Sequence, residues 1–161
     1  MMRLLKGLFA RAEPVLSEAS IRDAAAIAAL HTASFARGWS EQEVEGLMTD
    51  RHVFAHRAML GANMTGFILS RVVEDEAEIL SVAVDGNKRG RGLARTMLNL
   101  HLRRLAGLGA RTVFLEVDEN STAAIRLYDR AGFRRISRRA NYYPAAGGTA
   151  AAALVLRRDL V

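Results

Sequence analysis

The stretch from residue 78 to residue 105 constrains the fold of this chain more than any other part of it. Residues 78–84 read EILSVAV, and a run this apolar predicts a strand that is buried on both faces. A glycine-rich loop, KRGRGLAR, follows at residues 88–95. Apolar residues at helical spacing then predict a helix over residues 93–105. A buried strand, a glycine loop and an amphipathic helix in this order indicate a layered α/β domain.

The glycine-rich loop predicts a phosphate-binding site. Pyrophosphate is bound where several backbone N–H groups point at one spot in front of a helix N-terminus. Gly90 and Gly92 permit close approach of the backbone to a ligand, Ala94 is small enough to stay clear, and the neighbouring arginines add positive charge. Neither the P-loop pattern GxxxxGK(S/T) nor the dinucleotide pattern GxGxxG fits the spacing. A glycine turn with solvated arginines is the alternative for these residues alone, and their setting between a strand and a helix favours the phosphate site.

The rest of the chain alternates between strand and helix signals. Ser20 with Asp23, and Ser40 with Glu43, have the spacing of capping boxes and predict two helix starts. Apolar periodicity and turn residues predict the remaining elements: a strand over residues 14–18, helices over 20–35 and 40–49, strands over 53–60 and 66–73 joined by a turn at 61–63, a strand over 112–117, a helix over 121–131 capped by Gly132, and strands over 133–137 and 151–157. This order predicts a mixed α/β (α+β) sheet with helices on both faces.

Length and composition limit the organisation and the chemistry. A chain of 161 residues fits one compact domain, which we expect over residues 14–161 after a flexible N-terminal extension over residues 1–13. No run is apolar enough for a signal peptide or a membrane span, so the protein is predicted to be soluble and cytoplasmic, without a membrane partner. The net charge of +6 favours an anionic partner, such as nucleic acid, an acidic lipid surface or a phosphorylated cofactor. The absence of cysteine excludes disulfides, a cysteine zinc site and a cysteine nucleophile.

Several short segments together resemble one protein family. Arg89-x-x-Gly92-x-Ala94 matches the R/Q-x-x-G-x-G/A signature of the GNAT superfamily, which binds acetyl-CoA. The other segments are, in chain order, Trp39-Ser40, FLEV at residues 114–117, AIxLY at 124–128, GF at 132–133 and NYYP at 141–144. In this order and spacing, from about residue 14 to the C-terminus, the chain resembles the bacterial ribosomal-protein-alanine N-acetyltransferases, the RimI type.

The resemblance implies a fold, a reaction and a set of site residues. It implies a GNAT-like, mostly antiparallel central sheet and an N-acetyltransferase that uses acetyl-CoA as cosubstrate and needs no metal. The implied acceptor is a primary amine, namely the N-terminal amine of a ribosomal protein, with nucleic acid not a direct substrate. Glu116 matches the general base of the family and Tyr128 its general acid. The residues that correspond to the family's cosubstrate contacts are Val82, Ala83, Val84, Arg89, Gly90, Arg91, Gly92, Leu93, Ala94, Arg95 and Ser121.

Aromatic residues are candidate walls of the acceptor groove, because they give rigid contact area. These residues are Trp39, Tyr142 and Tyr143, and Trp39 alternatively fills the core.

Two positions depart from the family pattern. Ser121 stands where members usually carry asparagine, and its hydroxyl can still bond to the pantetheine arm. The NYYP segment of familiar members leads into a charged Gly-Arg-Glu-Asp stretch, whereas here it leads into residues 148–151, which read GTAA. This change leaves open a small-molecule amine as the acceptor. A non-catalytic basic protein that binds RNA or a protein partner is a further alternative, against which the intact Glu116, Tyr128 and glycine loop argue.

The chemistry of acetyl transfer is consistent with these assignments. An α-amine has a pKa of about 8 and must lose a proton before it attacks a thioester. Glu116 is the only acidic residue in an otherwise apolar predicted strand and can take that proton directly or through a water. Backbone N–H groups of residues 82–84 can hold the oxyanion if their pairing with the next strand is locally broken. A phenol such as Tyr128 can protonate the leaving thiolate. The alternatives are a Glu116 carboxylate paired with an arginine and a Tyr128 ring in the core.

Histidines and a basic run are weaker candidates. His52 and His56 lie four apart in a strand-like stretch without a carboxylate partner, so a structural or solvent role is expected rather than a metal site. His31 and His101 are predicted on helix surfaces. The arginines at residues 134–135 and 138–139 fit ribosomal RNA, an acidic peptide or a solvated strand end equally well.

Overall fold

The computed structural model of the chain describes residues 12–143 and 150–161. Most of the predicted N-terminal extension and part of the altered stretch at residues 148–151 lie outside the described residues. Helices and strands follow one another in the order that the sequence predicts, with short 3-10 turns at Ile21–Asp23 and Gly86–Lys88. The elements are β1 (Val15–Glu18), α1 (Ala24–Ser34), α2 (Glu41–Thr49), β2 (Val53–Leu60), β3 (Asn63–Val73), β4 (Glu76–Val84), α3 (Leu93–Gly107), β5 (Thr112–Asp118), α4 (Thr122–Arg130), β6 (Arg134–Tyr143) and β7 (Ala151–Asp159).

The strands form one seven-stranded sheet with the order β1-β2-β3-β4-β5-β7-β6. β4 and β5 pair in parallel, and every other neighbouring pair is antiparallel. A parallel pair needs a long crossover, which α3 provides here. The last strand, β7, inserts between β5 and β6. A mixed and mostly antiparallel sheet is thus confirmed.

The residues of β3 show how the sheet separates two cores. Phe67 and Leu69 are fully buried in the core formed with α1 and α2. Ile68, between them, is fully buried in the core formed with α3 and α4. Successive side chains of a strand point to opposite faces, so helices cover both faces of the sheet, as predicted.

The two predicted capping boxes both form. The Asp23 carboxylate accepts from the Ser20 N–H at 2.8 Å and begins the 3-10 turn that leads into α1. Ser40 and Glu43 close the second box with distances of 3.1 and 2.8 Å at the start of α2. These side chains satisfy N–H groups that have no partner inside a helix, and they fix where each helix begins.

Two strands extend further than the sequence predicts. β3 begins at Asn63, because the hairpin from β2 turns on Gly61 and Ala62 alone, with Gly61 at a φ of +60°. β6 continues to Tyr143, although only residues 133–137 were predicted as strand. Its sequence is rich in arginine, and an edge strand of this kind carries no apolar pattern by which it could be recognised.

The prediction that His31 and His101 lie on helix surfaces is wrong. His31 is 5 % exposed and stacks on Trp39, with 4.0 Å between the ring centroids. His101 is completely buried, with its Nδ1 2.7 Å from Nδ1 of His56 and its Nε2 2.7 Å from the hydroxyl of Ser70. His101 falls at helical spacing within the apolar stripe of α3, which places its ring on the buried face.

Candidate active site

The parallel strands β4 and β5 separate halfway along the sheet. Their pairing stops at Ile79 and Leu115, although β4 continues to Val84 and β5 to Asp118. Leu80 has no partner on β3, which is the register shift of a β-bulge and bends the strand. The two strands therefore diverge and leave a split in the sheet, with the glycine loop following the end of β4.

The free edge of β4 carries backbone N–H groups into this split. The N–H of Asp85 donates to the carbonyl of Thr65 on the β3 side, at 2.8 Å. Because backbone groups alternate sides along a strand, the N–H groups of Val84 and Val82 point the other way, where β5 has moved apart. Ala83 is buried and its backbone faces β3. The condition for an oxyanion site, a local break in the strand pairing, is met at Val82 and Val84.

The glycine loop ends in left-handed backbone conformations. Gly90 and Gly92 have φ values of +76° and +78°, and Gly92 is the N-cap of α3. A Cβ added to either glycine would meet no heavy atom within 4 Å, so the space in front of the loop is open. Helical hydrogen bonding begins with Thr96 N–H to Gly92 O, at 3.0 Å, which leaves the N–H groups of residues 93–95 without helical partners. Such N–H groups at the positive end of a helix form an anion site.

The loop carries four basic residues, Lys88, Arg89, Arg91 and Arg95. Arg89 donates from Nε to the carbonyl of Val84 at 3.1 Å and ties the loop to the end of β4. Arg91 and Arg95 are exposed and make no ion pair with any described residue. The loop residues 88–95 include no aspartate or glutamate, and the carboxylate that precedes them, Asp85, accepts from the Asn87 N–H at 3.0 Å.

Glu116 lies on β5 one residue beyond the last pair with β4. Its neighbours Leu115 and Val117 point into the core under α3, so its own side chain points to the opposite face. The side chain is 26 % exposed, and its carboxylate lies 3.1 Å from Nη1 of Arg139. The position at the split agrees with a catalytic base, and the arginine pair that was the alternative is present as well.

Tyr128 lies on α4 within the core on the α3 side. Its ring is 7 % exposed and meets Phe133 edge-on, with 5.6 Å between the centroids. Burial raises the pKa of the Tyr128 phenol to about 12, so the group keeps its proton at neutral pH. The hydroxyl makes no hydrogen bond to any described residue, which leaves it able to donate to a ligand.

Glu116 and Tyr128 therefore lie on opposite faces of the sheet. A carboxylate can accept a proton and a protonated phenol can donate one.

Ser121 lies at the start of a helix, whereas Trp39 packs against one of the two cores. Ser121 is the N-cap of α4, but its side chain makes no capping hydrogen bond, so the hydroxyl is left for a ligand. Trp39 is partly buried against the core of α1 and α2 and stacks on His31. This packing agrees with the core-filling alternative for Trp39.

The two tyrosines of NYYP stand at the end of β6. Tyr142 is 48 % exposed, and the guanidinium carbon of Arg139 lies 5.5 Å from its ring centroid. The backbone of Tyr143 pairs with Ala151. The sequence shows Arg139 only as part of a basic run, because its contact with Glu116 depends on how β6 is placed in the sheet.

Residues 23–133 match the model of the acetyltransferase (GNAT) family. This chain belongs to that family. As a GNAT acetyltransferase it uses acetyl-CoA as the acetyl donor, and the split, the open glycine loop and the free N–H groups of α3 fit such a molecule.

Two curated relatives are similar in sequence to this GNAT protein. It is 36 % identical over 110 residues to the ribosomal protein bS18-alanine N-acetyltransferase of Salmonella typhimurium, an alignment that covers 68 % of this chain and 74 % of that protein. It is 34 % identical over 110 residues to the enzyme of the same name from Escherichia coli K12, with the same coverage of 68 % and 74 %.

Solved structures have the same fold. The crystal structure of the ribosomal-protein-S18-alanine N-acetyltransferase from Escherichia coli superposes with a TM-score of 0.85 at 28 % identity, over 91 % of this chain and 94 % of that one. Ard1 from Thermoplasma volcanium superposes with a TM-score of 0.83 at 22 % identity, over 93 % and 99 % of the two chains, and shares the fold.

Among the residues that the structure describes, no helix is long and apolar enough to span a membrane. Among these same residues, no group of three or more histidine, aspartate or glutamate side chains is arranged to hold a metal ion.

Proposed function

We propose that this GNAT protein acetylates the N-terminal α-amine of a ribosomal protein that begins with alanine. The assignment of this acceptor rests on the 36 % identity to the bS18-alanine N-acetyltransferase of Salmonella typhimurium over 110 residues. The likeness to the Escherichia coli enzyme over 91 % of the chain supports extending the assignment beyond the aligned segment.

Glu116 acts as the general base. The acceptor enters as an ammonium, because an α-amine has a pKa of about 8. The carboxylate takes a proton from it, directly or through a water, and the neutral nitrogen then attacks the thioester carbon. Its partial exposure on the face away from α3 supports a role at an open entrance for the acceptor.

The other residues at the split act on the thioester. The N–H groups of Val82 and Val84 stabilise the negative charge that develops on the thioester oxygen. As the new C–N bond forms and the C–S bond breaks, Tyr128 gives its proton to the departing sulfur and regains one from solvent. The chain has no cysteine to carry an acyl group, so transfer is direct within a ternary complex.

The loop and α3 hold the cosubstrate. The free N–H groups of residues 93–95 bind its pyrophosphate, and Arg91 and Arg95 add charge from the rim. Ser121 offers its hydroxyl to the pantetheine arm in place of the usual asparagine amide.

The test is release of thiol from acetyl-CoA with a peptide that copies the N-terminus of ribosomal protein bS18, beginning with alanine. The same peptide with a blocked N-terminus is the matched control, and a panel of amino acids, polyamines and aminoglycosides runs beside it. We expect turnover on the free peptide alone. Turnover on a small amine but not on the peptide would contradict the ribosomal acceptor and leave the acetyltransferase intact.

The base assignment is tested by Glu116→Gln. Loss of a general base is expected to lower kcat by about 100-fold or more, with acetyl-CoA affinity unchanged. Wild-type turnover in this variant would remove Glu116 from the mechanism.

A further inference from the structure

The Glu116 carboxylate already has a cationic partner before any acceptor arrives. Nη1 of Arg139 lies 3.1 Å from it, with the Arg139 side chain 57 % exposed and the Glu116 side chain 26 % exposed. An acceptor ammonium is also a cation, so the two compete for the same carboxylate.

The sheet brings Arg139 to this position across an intervening strand. Arg139 pairs with Ala153 on β7, and Ala153 in turn pairs with Asp118 on β5, two residues from Glu116. The guanidinium therefore reaches diagonally over β7. The small side chain of Ala153 leaves room for this path.

A bulge in β6 follows Arg139 directly. The next register pair joins Tyr143 to Ala151, so three residues of β6 face a single residue of β7. Asn141, within the bulge, has a φ of +56°, a left-handed conformation that asparagine tolerates better than most residues. The bulge brings the Tyr142 ring to within 5.5 Å of the Arg139 guanidinium carbon. Arg139 thus has two partners, a carboxylate and an aromatic face.

We propose that Arg139 is a displaceable counter-ion of Glu116, which the ammonium of the acceptor replaces. This inference rests on the proposed function, because it takes Glu116 as the group that receives the amine. When the ammonium arrives, the guanidinium leaves the carboxylate and stays over the Tyr142 ring. Arg139 is then a positioning residue that raises the concentration of acceptor needed for turnover.

The test is the affinity of the CoA-loaded enzyme for a cationic acceptor, together with steady-state kinetics. The probe is the bS18-like peptide, or a small amine if the wild type acetylates only that, so failure of the ribosomal assignment does not remove the test. In Arg139→Gln we expect Kd and KM for the acceptor to fall about fivefold, the upper range for an exposed ion pair. We expect kcat to stay within about twofold, because the guanidinium has left before proton transfer.

Two controls separate competition from a structural effect. A des-amino form of the acceptor, which has no ammonium, should bind Arg139→Gln and the wild type equally. Arg138→Gln removes the neighbouring arginine, which pairs with Glu119 at 2.9 Å and 3.0 Å, and should leave the acceptor Kd unchanged.

Three outcomes would overturn the inference. Weaker binding of the free amine to Arg139→Gln would mean that Arg139 contacts the acceptor itself. An unchanged Kd would mean that the ion pair does not compete with the amine. Equal tightening for the free-amine and des-amino forms would mean that the effect does not come from the ammonium.

Discussion

Acidification is expected to destabilise this protein through imidazole groups buried between α3 and the sheet. The pKa of His101 is lowered to about 3, first by burial and second by the nearby His56. The pKa of His56 is also lowered, mainly by burial, with smaller opposing effects from the charges of Glu18 and Arg104. Folded protein thus binds protons at these rings more weakly than the unfolded chain does.

The size of the effect follows from the difference between the pKa of His101 in the folded protein and in the unfolded chain. Unfolded histidine protonates near pH 6.5, so the stability associated with a neutral His101 is complete above that pH and is lost as the pH falls towards 3. Between pH 7 and pH 5, His101 alone lowers the free energy of unfolding by about 2 kcal/mol. His56 shifts in the same direction and adds to this loss. Carboxylates with lowered pKa values, such as Glu119 and Asp159, lose their contribution mainly below pH 5.

Urea unfolding at pH 7, 6 and 5 measures the effect. His101→Gln should be less stable at pH 7, because His56 and Ser70 lose a partner, but its free energy of unfolding should depend much less on pH. His52→Gln is the matched control, since the His52 side chain is 45 % exposed. The prediction that His52 has no carboxylate partner is wrong, because its Nδ1 lies 3.2 Å from Oδ1 of Asp50. A change of less than about 0.5 kcal/mol in the wild type between pH 7 and pH 5 would refute the reasoning.

Three further substitutions test other parts of the structure. Tyr128→Phe should lower kcat by about 100-fold or more through loss of the general acid, with little change in acetyl-CoA affinity by calorimetry, and wild-type kcat would exclude that role. Gly92→Ala should lower the free energy of unfolding by about 1 kcal/mol in thermal unfolding, because a φ of +78° is strained for alanine, and it should weaken acetyl-CoA binding. An unchanged melting temperature and an unchanged affinity would contradict this. Ser40→Ala removes the cap of α2 and should lower the free energy of unfolding in urea by about 1 kcal/mol without altering kcat. Wild-type stability in this variant would show that the cap is dispensable.

The sequence predicts well those elements whose signals are local. The capping boxes at Ser20 and Ser40 depend on residues three apart, and both helix starts are found where they were expected. The strand, glycine loop and helix from β4 to α3 were recognised for the same reason, because apolar pattern and glycines lie within one short stretch. β6 was predicted too short, since an arginine-rich edge strand is stabilised by its pairing with β7 and not by a pattern of its own.

The candidate site could be predicted only in part. Glu116, Tyr128 and the glycine loop follow from the sequence and its resemblance to a family, and their catalytic and binding roles stay predictions. The pairing of Arg139 with Glu116 could not be predicted, because it depends on β7 lying between β5 and β6. The burial of His101 could have been predicted, since its spacing within the apolar stripe of α3 already places it on the buried face.

The split between β4 and β5 makes the sheet two half-sheets that share only four register pairs, from Glu76 with Thr112 to Ile79 with Leu115. A linear ligand lying in the split would meet the free N–H groups of Val82 and Val84 as an added strand meets a sheet edge. A ligand bound in this way would bridge the gap between β4 and β5 beyond Ile79 and Leu115. While it is bound, the two half-sheets would be joined by more than their four shared pairs.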